Sequence, residues 1–394
     1  MQKGEGIPIY LDYASTTPVA EEVVEAMKPY WSLHFGNPSN TLHTFGRRAR
    51  EAVERARAQV ASLLGVTKEE IVFTSGATEA INLAIKGVFW RYRQVKGKHF
   101  IVGATEHKAV LKAFETIERR GAEISIAPVL PDGTVDMEAL QSLIRPDTVM
   151  IALMYGNNET GVIHPVAEIG DLCRERGILF LCDATQSLAY EDIRPRQLGI
   201  HLLPLSGHKL YGPKGVGALF VSRRNPRVRL IPLIDGGGQE QGLRSGTHFV
   251  PGIVGLGAAC EHARLKLRPH RSHIAQLRNR FEEMLHAKIP DVVFHGHTAP
   301  RLAHISNFSL PAQIDMKALL EELSQHVALS TSSACTTADL RLSHVLKAMG
   351  VRPTLAHTAL RVSLGLPTTT SEIEEAVEHI CRCYHQQAEA SIHR

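Results

Sequence analysis

The 394-residue chain has no apolar run approaching the ~20 residues that span a bilayer. It also has no marked charge excess: 44 Lys and Arg stand against 40 Asp and Glu, a net +4. So small a balance gives no ground for a nucleic-acid or membrane surface. Aromatic residues are scarce, at 6%. Repeats and low-complexity segments are absent. Residues 1–8 lack an apolar core of signal-peptide length, so the expected compartment is the cytoplasm. No G-x-G-x-x-G and no Walker A motif occurs among the strand–helix alternations, which leaves dinucleotide and ATP binding without support. The six cysteines are Cys173, Cys182, Cys260, Cys335, Cys381 and Cys383. They are too sparse for a disulfide framework and suit free thiols in a reducing compartment. Cys381 and Cys383 would point apart on a helix, so they read as structural, not as a redox or zinc pair.

What is present is a globular composition, 44% apolar and 21% charged, on a chain long enough for two domains. Residues 9–14 read as a strand and 14–18 as a helix start with Pro18 in the first turn. A charged amphipathic helix is predicted over 44–64, ended by Gly65. Seven strand-like runs follow, at 71–74, 99–102, 124–129, 149–154, 178–182, 202–205 and 217–221, mostly with helical segments between. This alternation predicts an α/β fold with a mainly parallel seven-stranded sheet covered by helices. A further helix is expected near 251–263, and the domain boundary near 260. The rest reads as α+β, with strands at 305–310 and 327–330. The expected division is a large domain over 14–260 and a smaller one from 1–13 and 261–394.

Ligands of such sheets sit at the carboxyl ends of the strands, and polar residues collect there. Ser75-Gly76-Ala77-Thr78 opens a helix after the 71–74 run and resembles a phosphate seat, although an ordinary capped helix explains it as well. Thr105-Glu106-His107, Gly156-Asn157-Asn158-Glu159 and Asp183-Ala184-Thr185-Gln186 follow three other runs. Ser206-Gly207-His208-Lys209 follows a fourth. Alone, Lys209 fits a surface lysine in a polar turn. It also fits an amine that binds an aldehyde, and the usual protein-bound aldehyde is pyridoxal 5'-phosphate (PLP). PLP needs an anion at its pyridine nitrogen, for which Asp183 is placed. Gln186 can bond the phenolic oxygen, and His107 can stack on the ring and move protons. Ala77, Thr78, Ser206, His208 and Thr247, the last in a glycine-rich loop at 236–247, are candidates for the phosphate. The small hydroxyl-rich run 330–339 carries Cys335 and reads as an exposed loop. A thiolate there suits nucleophilic attack on a sulfur, which it would carry as a persulfide.

On these stretches, together with Tyr10-Leu11-Asp12-Tyr13, Phe35-Gly36-Asn37-Pro38 and Arg244-Ser245-Gly246-Thr247, the chain resembles cysteine desulfurases of the NifS/IscS-like type. These are class V aminotransferase family members among the fold-type I PLP enzymes. The resemblance implies conversion of L-cysteine to L-alanine, with Lys209 holding the cofactor and removing the Cα proton. His107 would assist proton movement, and Cys335 would keep the sulfur for an acceptor such as an iron–sulfur scaffold protein. It implies Asn158 and Arg361 as the groups for the substrate carboxylate, with Asn158 also among the cofactor-binding residues, and a homodimer in which Thr247 reaches the partner's phosphate site. A selenocysteine lyase, or a class V aminotransferase without persulfide chemistry, is the alternative. The chain departs from the family pattern at His201, where Asp is usual, at Pro204, and at Met154-Tyr155-Gly156; its C-terminal scaffold-docking tail is expected to be short. Pro204 is expected at a sheet edge or a bulge.

Overall fold

The computed structural model describes residues 6–311, 314–331 and 342–392. After a short first strand, β1 (Ile9–Tyr10), the seven apolar runs form β2 (Ile71–Thr74), β3 (His99–Gly103), β4 (Glu123–Ala127), β5 (Thr148–Ala152), β6 (Leu179–Leu181), β7 (Leu202–Ser206) and β8 (Gly217–Val221). They pair in the order β2-β8-β7-β6-β5-β3-β4. β8 is antiparallel to both neighbours and every other pair is parallel, so the carboxyl ends of the other six strands point one way. Helices cover both faces, which is why β3, β5, β6 and β8 are buried at every residue and read as unbroken apolar runs. The edge strand β4 is buried only at Ala127.

The helix Thr44–Leu64 forms at the predicted residues. His43 Nδ1 accepts from Gly46 N at 3.1 Å at its start, and Gly65 ends it in the left-handed conformation, φ 66°. Its buried face, including Ala49, Val53, Ala56 and Val60, packs on the helix Val250–His262.

A second sheet is built from β9 (Val293–Phe294), β10 (Ile305–Ser309), β12 (Ser330–Thr331) and β13 (Ala359–Ser363), in the antiparallel order β12-β13-β10-β9. Between β10 and β12 in sequence lies β11 (Val327–Ala328), which pairs in parallel with β1. The strand expected over 327–330 is therefore two short strands serving different partners.

Three further local readings change. The strand expected over 9–14 is confined to Ile9–Tyr10, with an isolated bridge from Asp12 to Ser363. The helix start expected at 14–18 does not form, and the first helix is Glu21–Met27. The Thr17 amide and hydroxyl both donate to the His208 carbonyl at 3.0 Å, and Ala20 N donates to Tyr211 O at 2.9 Å. Those polar groups are committed to the β7 turn and cannot begin a helix.

Pro204 lies in β7, an interior strand, and not at an edge or a bulge. The bonds Ser222 N to His201 O and Gly207 N to Val216 O show that odd-numbered residues of β7 face β8. Pro204 thus turns its missing N–H toward β6. There the ladder is a single pair, Leu181 with Leu202, and has ended before Pro204 is reached. His201, where an Asp is usual, bonds the middle of β6: its Nδ1 accepts from Phe180 N at 2.9 Å. Burial, with Lys96 and Arg174 nearby, pushes its imidazole down to about 4, so it stays a neutral acceptor.

Candidate active site

The carboxyl ends of β2, β3, β5, β6 and β7 open into one cleft of about 680 Å3. Ala77, Thr78, His107, Asn158, Asp183, Gln186, Ser206, His208, Lys209 and Arg361 all line it. Thr247 does not line the cleft of its own chain and is exposed. Cys335 lies outside the described residues. Ser330 and Thr331, the last described residues before its segment, line the cleft.

β2 feeds the helix Ala77–Tyr92 through Gly76, whose φ of +155° is open to glycine but strained for other residues. No side chain caps that N-terminus, so its amides and the positive end of its dipole face the cleft. Behind it, Glu79 accepts from Ser75 N at 2.7 Å and from Arg244 Nε at 2.9 Å. Burial opposes ionisation of Glu79, but these donors carry its carboxyl below the usual value. The 236–247 loop is anchored by Glu240, which accepts from Arg57 at 2.7 and 2.8 Å, from Phe73 N at 2.7 Å and pairs with His248 at 2.6 Å. These partners outweigh burial and bring Glu240 down to about 2.

Lys209 ends a one-turn 3-10 helix, Gly207–Lys209, directly after β7. Its Nζ donates to the carbonyls of Ala14 and, at 2.9 Å, Ser15. Burial, then the Arg361 cation, brings its amine down to about 8. His208 Nδ1 is 3.2 Å from Thr16 Oγ1, and burial with Lys209 and Lys214 lowers it to about 4. Gln186 Nε2 donates to the Ala14 carbonyl at 2.7 Å.

Asp183 follows β6 and accepts from Thr185 N at 3.0 Å. Glu106 sits fully buried nearby and accepts from Met154 N at 2.6 Å. Burial, then the nearby Asp183 charge, raise Glu106 well above the carboxylate range. His107 caps the helix Lys108–Glu118: its Nδ1 accepts from Ala109 N at 3.1 Å, which places the ring proton on Nε2. Removal from bulk solvent, opposed by Asp183 and aided by Lys209, holds His107 below its ordinary value.

Arg361, on β13, donates from Nη1 to Asn158 O at 2.8 Å. Its Nη2 donates to Asp12 Oδ1 at 2.8 Å and to Ser15 Oγ at 2.9 Å. Asp12 and Ser15 were not singled out as site residues from the sequence. The only signal was that Tyr10-Leu11-Asp12-Tyr13 matches the family pattern. Glu159, also missed, lines the cleft and accepts from Ser343, the second described residue after the Cys335 segment. Burial raises its carboxyl to about 7. Gly156, part of the departure at 154–156, approaches Leu302 so closely that a Cβ would lie 2.9 Å from that side chain.

The residues suit PLP. An uncapped helix N-terminus faces the cleft for a phosphate, and a lysine with a lowered amine lines the same cleft as an aspartate. The buried Thr185 Oγ1 and Arg361 Nε have no partner among the described residues.

Comparisons with known proteins give the family. Residues 9–376 match the aminotransferase class-V family. The chain is 48% identical over 376 residues to cysteine desulfurase IscS of Anaeromyxobacter sp. (strain Fw109-5), covering 95% of this chain and 91% of that protein. Its fold superposes on a solved NifS-like protein with a TM-score of 0.87 at 33% identity, covering 96% of this chain and 100% of the other. A solved structure of SspA in complex with cysteine matches with a TM-score of 0.79 at 37% identity, covering 90% of this chain and 98% of the other. Over almost its whole length, this chain belongs to the class-V aminotransferase family.

Proposed function

We propose that the protein is a PLP-dependent cysteine desulfurase that converts L-cysteine to L-alanine and leaves a persulfide on Cys335. One observation carries this reading. Lys209, Asp183, His107 and Arg361 line the same cleft as Ser330 and Thr331, which lead directly into the segment bearing Cys335. The kinship with cysteine desulfurase IscS supports it.

When bound, PLP supplies an electron sink that makes the substrate Cα–H acidic. Lys209 holds the cofactor aldehyde, and the N-terminus of Ala77–Tyr92 with Thr78, Ser206 and His208 holds the phosphate. Asp183 keeps the pyridine nitrogen protonated, and Gln186 bonds the phenolic oxygen. Arg361 and Asn158 orient the substrate carboxylate. Once the substrate amine has replaced it on the aldehyde, Lys209, whose free amine is brought down to about 8, takes the Cα proton. The Cys335 thiolate attacks the substrate sulfur. The new S–S bond forms as the Cβ–S bond breaks, with its electron pair left on carbon. Protonation of that carbon, with His107 as proton carrier, and return of the proton to Cα from Lys209 complete alanine.

The reading includes a homodimer, with Thr247 of each chain serving its partner's phosphate site. Exposed Trp31, Phe35, Phe45 and Phe249 support it, with Trp31 against Phe249 at 5.7 Å between ring centres and Phe35 against Phe45 at 5.4 Å. It also includes a division into 14–260 and 1–13 with 261–394, a cytoplasmic location, and a sulfur acceptor such as an iron–sulfur scaffold. Among the described residues no helix is long and apolar enough to cross a membrane.

The test is an absorbance spectrum of the purified protein, then L-cysteine addition with alanine and sulfide assayed. Cys335→Ala should keep the PLP band and lose sulfur release by at least a hundredfold. A variant that still mobilises sulfur normally would remove Cys335 from the mechanism.

A further inference from the structure

Arg361 is more firmly held than a surface arginine awaiting a ligand. Its Nη2 is bonded by both Asp12 Oδ1 and Ser15 Oγ, and its Nη1 by Asn158 O. The ion pair is largely shielded, with 9% of the Arg361 side chain and 18% of the Asp12 side chain exposed. Asp12 Oδ1 also accepts from Ser330 Oγ at 2.8 Å, and Ser330 Oγ lies 3.4 Å from Ser15 Oγ. Ser330 and Arg361 are direct cross-strand partners on β12 and β13. Asp12 itself bridges to Ser363, two residues along β13. One carboxylate oxygen thus joins the end of β1, the arginine on β13 and the serine on β12. Arg361 Nε is buried and has no partner among the described residues.

We propose that Asp12 is a positioning residue for substrate binding: it fixes the Arg361 guanidinium in one orientation against β12, leaving the two uncommitted N–H donors, one on Nε and one on Nη1, for the substrate carboxylate. The inference rests on the reading of Arg361 as the carboxylate-binding group. An arginine recognises a carboxylate through a planar fork, so a guanidinium free to swing loses geometry even when its charge remains. Truncating Asp12 would also leave a shielded cation without its counter-charge.

The test uses the PLP-loaded enzyme and compares Asp12→Ala, Asp12→Asn and Arg361→Ala. Two probes are titrated against the PLP absorbance: L-alanine, which has a carboxylate, and cysteamine, which lacks one. Asp12→Ala should weaken L-alanine at least tenfold and raise the KM for L-cysteine similarly, while cysteamine binding stays within about twofold. Asp12→Asn keeps an acceptor oxygen for Arg361 and Ser330 and should recover most of the loss. A merely structural role would weaken both probes together and lower the thermal midpoint in step, which overturns the inference. If Arg361→Ala leaves L-alanine binding intact, the carboxylate reading of Arg361 fails and the inference falls with it. If Arg361→Ala weakens L-alanine and Asp12→Ala does not, the inference alone fails. Should Asp12→Ala not fold, Asp12→Glu moves the carboxylate by one methylene. It must then weaken L-alanine at least threefold with cysteamine unchanged, and equal binding of L-alanine overturns the proposal.

Discussion

Lys209 shows how neighbours tune a single residue. Its carbonyl partners, Ala14 and Ser15, welcome an N–H donor, yet burial and the Arg361 cation bring its amine down to about 8. A depressed lysine is deprotonated, and so nucleophilic, once the pH exceeds that lowered value. The rate at which PLP-free protein captures PLP should therefore rise with pH and level off above a midpoint near 8. Arg361→Ala removes a cation that lowers the amine and releases Asp12, which raises it, so the midpoint should move upward. Stopped-flow absorbance across pH reads this directly. A midpoint near the ordinary lysine value in the parent protein would contradict the buried setting of Lys209. The same scale explains Glu106: full burial, with the Asp183 charge nearby, raises its carboxyl well above the usual carboxylate range.

At the scale of elements, the cleft depends on strand ends and one helix start. β2, β3, β5, β6 and β7 each end in a polar turn, and all five turns meet because the strands run the same way. The helix Ala77–Tyr92 contributes direction, since its open amides and dipole favour an anion. Gly76 makes that start possible with φ +155°. A Cβ there has room, its closest neighbour being Ser206 Oγ at 3.8 Å, so the cost of Gly76→Ala is backbone strain and not collision. The expected loss is about 1–3 kcal/mol of stability, with PLP affinity reduced at least tenfold as the amides turn away. Denaturant unfolding and PLP titration measure the two effects. Unchanged PLP affinity would mean that the phosphate sits elsewhere.

At the scale of the molecule, the site as proposed is incomplete in one chain. Thr247 does not line its own cleft and is exposed, on a loop tied down by Glu240 and close in sequence to the exposed Phe249. Light scattering should give twice the chain mass. Phe35→Asp combined with Phe45→Asp should shift the protein toward monomer and weaken PLP binding at least tenfold. A parent protein that is monomeric with tight PLP would sink the shared-site reading. The second sheet joins the site at this scale as well, because β12 and β13 present Ser330 and Arg361 to a cleft that is otherwise built from the first sheet.

By itself the sequence determined the elements whose signals are local. The helix Thr44–Leu64 follows from an apolar stripe closed by Gly65, and β2 from four buried residues running into a glycine turn. The chemistry-bearing residues were legible for the same reason: Asp183, His107 and Lys209 are polar where an apolar strand has just ended. Tertiary structure alone decided the rest. Asp12 and Arg361 are 349 residues apart and meet only because β1 lies beside β11 while Asp12 bridges to β13. Residues 14–18 carry a helix-start pattern, yet their backbone groups are spent on Lys209, Gln186 and His208. Pro204 sits inside a sheet because its missing donor faces the place where β6 has already stopped. Each of these outcomes depends on hydrogen-bond partners brought in from distant segments, and no local pattern encodes such partners.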